Sequence, residues 1–346
     1  MRYISGNIYD GTLFFQGYIG IDDSGVKEVS EGKAPETPFA TGTVVPGLIN
    51  CHTHAGDAGL QIDEKMSLEE LVAPPKGLKH RYLEGMGSAI KGPMKEYVNG
   101  MNDLGLTGFV DFREGGADGS KLLRSVSDHA TILGRPVSKE YDQNEIDSIL
   151  EYADGIGIPS ISDMPMNYIE SVADHVHRKG KRFALHASER IREDIGAILS
   201  LEPDFVVHMT AASDHDMKEC ADNDVSVVIC PRSNMYFDLV PPVKRLLDAD
   251  VKIALGTDNA MLCDADIRKE AAIVRNMLNR KNDEHLLRML LNNGREILYQ
   301  RSGIGVQLGM SEITVFPSFG RSPPEDILES TAKPITMITR KWRNGI

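Results

Sequence analysis

The sequence has few cysteines, no long apolar run and no apolar leader, and each absence excludes a class of protein. Its four cysteines include no Cys-x-x-Cys pair, which excludes a zinc ribbon and a disulfide framework and suits a reduced cytoplasm. No stretch of about 18 apolar residues occurs, so no transmembrane helix is expected. The first residues lack the apolar core of a signal peptide. We therefore expect a soluble, cytoplasmic protein.

Positive charge is also scarce. The 346 residues include 38 lysines and arginines against 51 acidic residues, which gives a net charge of −13. This balance argues against a nucleic-acid-binding surface. The hydrophobic fraction of 41% and the charged fraction of 26% are typical of globular proteins. The composition thus predicts a globular enzyme that contacts neither nucleic acid nor membrane.

Strand-like segments alternate with helix-like segments along most of the chain, which is typical of parallel βα units. Eight strand-like segments lie at 46–54, 106–112, 134–138, 155–160, 182–186, 205–208, 225–230 and 252–256. Eight units predict an α/β fold, a (β/α)8 TIM barrel over residues 46–308, with its active site at the carboxyl ends of the strands. An open doubly wound sheet is the alternative, but no Gly-x-Gly-x-x-Gly turn follows an early strand.

The two ends of the chain differ from this middle part. Residues 1–45 and 309–346 contain short alternating runs with turn signals such as Asp10-Gly11 and Asn344-Gly345. Neither segment is long enough to bury a core alone. Pairing the two predicts a small β-sandwich domain, built from both termini, beside the barrel.

Two histidines one residue apart, His52 and His54, end the first barrel strand. Side chains at i and i+2 of a strand point to the same face, so the two imidazoles would converge. Neutral imidazole is the commonest metal ligand, and two of them make half of a metal site. The alternative is two histidines in a turn, since a His-x-His pair is too short to be specific by itself.

Four later strands also end in residues that can take part in chemistry: His186, His208, Cys230 and Asp258. They recur at intervals of about one βα unit, which favours a shared rim over chance placement. Three histidine nitrogens and one carboxylate oxygen would suit a catalytic zinc that keeps one position for water. Such a metal lowers the pKa of its water from about 16 to about 7. The set of ligands would be His52, His54, His186 and Asp258.

Glu189 lies three residues after His186, in the loop that follows the fifth strand. A carboxylate there can turn back over the site and move protons. The alternative is a carboxylate in the first turn of the next helix.

The motifs occur in a fixed order along the chain: His52-x-His54, His186-x-x-Glu189, His208 and Asp258. In this order they resemble the amidohydrolase superfamily over essentially the whole chain. The run Cys-Pro-x-Ser-Asn at 230–234 is similar to the mononuclear branch, with cytosine, guanine and S-adenosylhomocysteine deaminases and triazine chlorohydrolases. The resemblance implies one divalent metal ion per chain, Zn2+ foremost and Fe2+ or Mn2+ as alternatives, on the four ligands above.

The same resemblance implies three catalytic roles. Glu189 would move protons to the substrate ring, and His208 would hydrogen-bond the attacking hydroxide or the tetrahedral intermediate. Asp258 would also accept a proton from the attacking water. The chain departs from many relatives at one position and from the binuclear relatives at another. Ile229 stands where many relatives have a histidine, and 155–162 has no lysine of the kind that bridges two metals in binuclear relatives.

Lys139, predicted at the end of the third strand, is a remote bridging candidate, with a solvated lysine beside Glu140 as the alternative. The long segment 55–83 after the first strand has a length typical of lids or pocket walls.

Three residues near the predicted rim are candidate substrate contacts: Arg113, Arg232 and Asn234. Arginine forks bind carboxylates and phosphates in a bidentate way, so the two arginines suit an anionic substrate. The alternative is that each pairs with a local acid, for example Arg113 with Glu114 or Asp111.

The leading interpretation is a metal-dependent hydrolase of C–N bonds, foremost an aminohydrolase (deaminase) of a nitrogen heterocycle. Hydroxide supplied by the metal would attack the ring carbon, and ammonia would leave. Cyclic-amide hydrolysis or dechlorination by the same site are alternatives. A catalytically silent barrel scaffold is another, which the complete set of polar positions disfavours. The expected partners are a small-molecule substrate and, by default, a second copy in a homodimer.

Overall fold

The computed structural model describes residues 1–73, 76–279, 283–299 and 305–338. Pro74, Pro75 and the predicted turn Asn344-Gly345 lie outside the described residues. The described chain divides into two compact units. One contains Met1–Ile49, Asn99–Gly108 and the described part of Asp266–Ile346, and the other contains Asn50–Val98 and Phe109–Ala265. The segment from Asp266 onwards thus groups with the terminal segments.

The strands are β1 (Arg2–Tyr9), β2 (Phe14–Asp22), β3 (Gly25–Glu31), β4 (Ala40–Pro46), β5 (Leu48–His54), β6 (Leu106–Arg113), β7 (Ala130–Gly134), β8 (Gly155–Ile158), β9 (Arg182–Ala187), β10 (Phe205–His208), β11 (Ser226–Ile229), β12 (Ile253–Leu255), β13 (Asp258–Asn259), β14 (Glu312–Phe316) and β15 (Ile335–Ile338).

The α-helices are α1 (Leu68–Leu71), α2 (Leu78–Met86), α3 (Lys91–Asp103), α4 (Gly116–Arg124), α5 (Gln143–Leu150), α6 (Met166–Arg178), α7 (Ile195–Ser200), α8 (Asp214–Asp222), α9 (Pro231–Tyr236), α10 (Val243–Asp248), α11 (Ile267–Met277), α12 (Asp283–Leu287), α13 (Gly294–Tyr299) and α14 (Pro323–Glu329). Short 3-10 helices lie at Ala55–Asp57 and Gly87–Ile90, and a π-helical turn lies at Arg288–Asn293. No helix of the described ranges is both long and apolar enough to cross a membrane.

Both ends of the chain contribute to one six-stranded sheet, in the order β15-β14-β4-β1-β2-β3. Strands β1 and β2 form a hairpin in which the Asp10 carboxylate accepts hydrogen bonds from the backbone of the turn. The pairing of Val44 with Val315 joins β4 to β14. Apolar residues such as Ile4, Ile19 and Val44 form the core on one face. In the described residues, the strands of the two terminal segments form this one sheet. A sandwich needs a second sheet, so the β-sandwich stays a prediction.

The remaining nine strands form a parallel sheet in the order β12-β11-β10-β9-β8-β7-β6-β5-β13. Strands β12 and β13 are separated only by Gly256 and Thr257, so both edges of the sheet belong to one short segment. The sheet curls until Asp258 pairs with Thr53 and Asn259 with His54. With β12 and β13 counted together, the strands number eight. This arrangement fits a TIM-like barrel.

Burial explains why these segments form strands. Every residue of β5 and β6 is buried, because a parallel sheet is covered on both faces. The helices between the strands are amphipathic, as in α6, which buries Ile169, Val172 and Val176 at helical spacing. Polar side chains therefore collect at the carboxyl ends of the strands, where the apolar packing stops.

The prediction of the third barrel strand at 134–138 was wrong by four residues. The strand is β7, whose pairing with β6 runs from Phe109 opposite Ala130 to Arg113 opposite Gly134. The predicted strand begins only at Gly134, although the apolar pair Ile132-Leu133 belongs to β7 and is buried. As a result, Lys139 lies beyond the strand end and is exposed.

Candidate metal centre

Four imidazole rings meet at the carboxyl ends of three barrel strands. The ring centroids of His52 lie 4.9 Å from those of His54 and His186, and the His186 and His208 centroids are 5.4 Å apart. His52, His54 and His208 are buried. The Asp258 carboxylate reaches the same point from β13, so the structure brings all four predicted ligands together.

The Asp258 carboxylate lies at the spacing of tetrahedral ligands from two of the histidines. Asp258 Oδ1 lies 3.2 Å from His52 Nε2 and 3.5 Å from His54 Nε2. Two ligand atoms at about 2.0–2.1 Å from a tetrahedral zinc ion are about 3.3 Å apart. The donor set of imidazole nitrogen and carboxylate oxygen therefore fits a divalent ion.

Further groups of ligand atoms lie in the same place. Within each of three groups the atoms lie within 4.8 Å of one another: His52, His54 and Asp258; His52, His186 and His208; and Glu189, His208 and Asp258. Because all three groups share members, they form one centre among the described residues.

Hydrogen bonds orient two of the histidines. Nδ1 of His54 lies 3.0 Å from the carbonyl oxygen of Phe112, and Nδ1 of His186 lies 3.1 Å from that of Ile158. A carbonyl only accepts, so each Nδ1 carries the hydrogen and each Nε2 presents its lone pair. Burial lowers the pKa of His54 to about 3 and the pKa of His186 well below its usual range. Both rings are thus neutral at pH 7, the form that binds metal.

Asp258 is held in an unusual backbone conformation. Its φ is 61° and that of His208 is 80°, in the left-handed region that L-residues seldom adopt. Such strain persists where the surrounding structure enforces it, often at functional sites. Burial alone would raise the pKa of Asp258, but the hydrogen bond with His52 keeps the pKa well below its usual range. Ser233 Oγ donates to the second carboxylate oxygen.

Glu189 and His208 form a proton-handling pair beside the ligands. Oε1 of Glu189 lies 3.5 Å from Nε2 of His208. Burial raises the pKa of Glu189, which favours the protonated form that can act as a general acid. Helix α7 begins only at Ile195, with Asp194 as its N-cap, so Glu189 is not in its first turn. Asn234 Nδ2 donates to Nδ1 of His208 at 3.1 Å, so Nε2 of His208 carries the ring hydrogen.

The three predicted substrate contacts do not line the cavity above this centre. Arg113 is fully buried, and its Nη2 donates to Glu114 Oε2 at 2.6 Å. Side chains alternate along β6: the Phe112 ring packs 4.6 Å from that of His52, so Arg113 faces away from the centre.

Arg232 donates to the side chain and the backbone of Asp264. Asn234 is buried against His208. Both arginines thus pair with acidic residues of the protein, which was the alternative given by the sequence analysis. The positions of Arg113, Arg232 and Asn234 do not support contact with an anionic substrate.

A buried ionic cluster behind His54 escaped the sequence analysis. Glu114 Oε1 lies 2.9 Å from His54 Nδ1 and 2.8 Å from Lys79 Nζ, and Lys79 Nζ lies 3.3 Å from Asp57 Oδ2. Burial raises the pKa of Asp57 to about 7. Glu114 directly follows barrel strand β6, which was an available signal. Lys79 lies on α2 in the long segment after the first strand, and nothing in its neighbourhood marks it as buried.

The cavity opens from this centre. Its wall contains His54, His186, Glu189, His208 and Asp258, together with Lys79, Arg135, Arg190, Asp163 and Glu193. Apolar residues such as Leu68, Val72 and Ile191 line it from α1 and from the loop after β9. Such a cavity is suited to hydrolysis, with a metal ion on the histidines and Asp258 and with Glu189 to transfer protons.

The chain is similar to known proteins in sequence and in fold. An uncharacterized protein of Methanocaldococcus jannaschii is 31% identical over 324 residues, which cover 85% of this chain and 81% of that protein. The 5-methylthioadenosine/S-adenosylhomocysteine deaminase 2 of Archaeoglobus fulgidus is 26% identical over 366 residues, covering 92% and 86%. The zinc complex of an atrazine chlorohydrolase from Arthrobacter aurescens TC1 superposes with a TM-score of 0.71 at 16% identity, covering 95% and 91%.

The resemblance inferred from the motifs is confirmed. Residues 43–296, which are more than half of the chain, match the model of the Amidohydrolase family. The match includes every strand of the barrel and all of the candidate ligands. The chain belongs to the amidohydrolase family.

Proposed function

We propose that the protein is a metal-dependent aminohydrolase that deaminates a nitrogen heterocycle. The observation that carries this proposal is the convergence of His52 Nε2 and His54 Nε2 on Asp258 Oδ1, at 3.2 and 3.5 Å, beside the Glu189–His208 pair. Family membership supports hydrolysis of a C–N bond, and the Archaeoglobus fulgidus relative supports a deaminase.

His52, His54, His186 and Asp258 would hold the ion, with Zn2+ favoured over Fe2+ or Mn2+ by the zinc in the chlorohydrolase structure. When bound, the ion would lower the pKa of a water molecule and so supply a nucleophile at neutral pH. Two protein groups would then stay available for proton transfer, because neither Glu189 nor His208 is needed as a ligand.

The protein groups would handle the protons as follows. Asp258, which is ionised before the attack, accepts a proton from the attacking water. Glu189, whose pKa is raised by burial, protonates the ring nitrogen as the amidine-like carbon is attacked. His208 donates a hydrogen bond from Nε2 to the oxygen that adds to that carbon, and Asn234 holds its ring in that tautomer. Asp258 then gives its proton to the departing amino group, and Glu189 takes the hydroxyl proton as the C–N bond breaks and the carbonyl forms. Ammonia leaves, and both carboxyl groups return to their starting states.

The test is a screen of purines, pyrimidines, pterins and their nucleosides for ammonia release by the zinc-loaded protein. Glu189→Gln is expected to reduce turnover by at least about 100-fold while the metal content is unchanged. Loss of metal from this variant would make Glu189 a ligand and contradict its role. Chloride release from a chlorotriazine, or acid release from a cyclic amide, without ammonia from any substrate, would favour the alternatives.

Four further features remain predictions from the sequence. These are the domain limits 1–45, 46–308 and 309–346, the β-sandwich, the homodimer and the cytoplasmic location. Light scattering on the purified protein tests the dimer, for which a single monomer mass would be the contrary result.

A further inference from the structure

The cavity wall contains three lysine or arginine side chains, and two of them have acidic partners. Lys79 Nζ lies 2.8 Å from Glu114 Oε1 and 3.3 Å from Asp57 Oδ2. Arg190 pairs with Glu69 of α1. The third is Arg135, which has no ion pair with any residue that the structure describes. Arg135 thus differs from Lys79 and Arg190 in having no acidic partner among the described residues.

The Arg135 guanidinium is enclosed but unsatisfied. The residue is half-buried, and its Nε is fully buried without a hydrogen-bond partner. Two acids act on its charge without forming an ion pair with it: Glu114, which Lys79, Arg113 and His54 already contact, and Asp163, which lines the same cavity. Burying a charged donor without an acceptor costs free energy, so such groups are rare in native proteins. An anionic ligand would remove this cost.

Arg135 is also fixed in a suitable place. It directly follows β7, so it stands at the carboxyl edge of the barrel. Its backbone N–H donates to Arg113 O at 2.8 Å, and its carbonyl accepts from Gly116 N at 3.2 Å. Arg135 lines the same cavity as His186, His208 and Asp258, so the guanidinium lies on the wall beside the metal centre. The main chain is held by the barrel, while the side chain lines the cavity.

We propose that Arg135 is an anion subsite that binds a carboxylate or phosphate group of the substrate. The anionic group would be carried on a substituent of the heterocycle whose ring carbon reaches the metal centre. This assignment rests on the proposed function only for the placing of the ring. A planar guanidinium forms two parallel charge-assisted hydrogen bonds with either oxyanion. Arg135 therefore takes the role that the sequence assigned to Arg113 and Arg232.

The first test is binding without turnover. Calorimetric titration of the zinc-loaded protein with inorganic phosphate, and separately with acetate, distinguishes the two anion classes. We expect at least one to bind, and Arg135→Met to weaken that binding about 10-fold or more, since a charge-assisted pair is lost. Arg135→Lys should retain part of the affinity. Arg190→Met, which removes a paired arginine from the same wall, should change it less than about twofold.

Thermal unfolding separates this role from a structural one. An arginine that stabilises the fold lowers the Tm when it is replaced, whereas removal of the unpaired Arg135 should leave the Tm of the anion-free protein unchanged or raise it. A fall of several degrees in Arg135→Met, with anion binding kept by the refolded fraction, would contradict the subsite. So would equal anion affinity in wild type and Arg135→Met, or no binding of either anion up to about 50 mM.

The second test compares matched substrates. S-adenosylhomocysteine carries a carboxylate that 5-methylthioadenosine lacks, and adenosine 5′-phosphate carries a phosphate that adenosine lacks. If one pair is deaminated, Arg135→Met should raise KM for its anionic member about 10-fold or more and leave the neutral member unchanged. Equal effects on both members would overturn the subsite but not the deaminase. Anion binding that depends on Arg135, with no ammonia from any ring compound, would overturn the deaminase but not the subsite.

Discussion

Replacing Glu114 with glutamine tests whether the buried cluster behind His54 supports the metal centre. Glu114 is 7% exposed and contacts three groups: His54 Nδ1 at 2.9 Å, Lys79 Nζ at 2.8 Å and Arg113 Nη2 at 2.6 Å. Burial would raise its pKa, but Lys79 and the other neighbouring positive charges keep the pKa well below the usual range. The side chain is therefore a carboxylate that faces only donors.

The Glu114→Gln change keeps the shape and removes the charge. The amide nitrogen of glutamine would face another donor, and Lys79 and Arg113 would lose a shared counter-charge. Removing one partner of a buried ion pair costs about 3–5 kcal/mol. Loss of a carboxylate that orients a metal-binding histidine costs about 10- to 100-fold in metal affinity. Both effects are expected here, because the same carboxylate has both contacts.

Two assays measure these effects. Urea unfolding of the metal-free variant gives the change in unfolding free energy, and zinc titration against a competing chelator gives the affinity. Glu329→Gln is the matched control, since Glu329 pairs with Arg321 on the surface and both side chains are nearly half exposed. The control should lose no more than about 1 kcal/mol. A Glu114→Gln variant that matches this control in both assays would refute the reasoning.

Two further predictions concern the neighbourhood of the centre. Burial raises the pKa of Asp57 in the folded protein to about 7, above its unfolded value. Its contribution to the unfolding free energy is therefore complete at low pH and is lost as the pH rises from about 4 to 7. Asp57→Asn should flatten this loss in unfolding free energy measured from pH 4 to 8, and an unchanged pH profile would contradict the shift. A Cβ on Gly256 would lie 2.6 Å from the His52 Cβ, so Gly256→Ala should cost about 1–3 kcal/mol in urea unfolding and weaken zinc binding. Gly100→Ala in α3, where nothing lies within 4 Å, should be neutral or stabilising, and equal losses in the two variants would rule out the steric cause.

The sequence analysis predicted the position of a side chain correctly where that position depends on a single strand. His52 and His54 converge because their spacing puts both on one face of β5. Asp258 could be placed because the last barrel strand pairs with the first. Glu189 follows the same logic, since it lies in the loop directly after β9.

The sequence analysis could not predict features that depend on how separate elements pack against each other. Arg113 ends a strand as His54 does, but only its register against β5 and β7 decides which way it points. The predicted third strand, 134–138, begins four residues later than β7, so Arg135 was placed inside a strand and not directly after its end. The Lys79–Glu114 pair joins residues on separate elements, and its burial depends on how the segment after β5 folds over the barrel edge.

The most direct test of the proposed centre is the metal content of the purified protein, measured by mass spectrometry on wild type and on Asp258→Asn. A single centre held by His52, His54, His186 and Asp258 predicts about one divalent ion per wild-type chain, and about a tenth of that or less in the variant after dialysis against chelator. Two ions per wild-type chain, or an unchanged content in Asp258→Asn, would contradict the assignment.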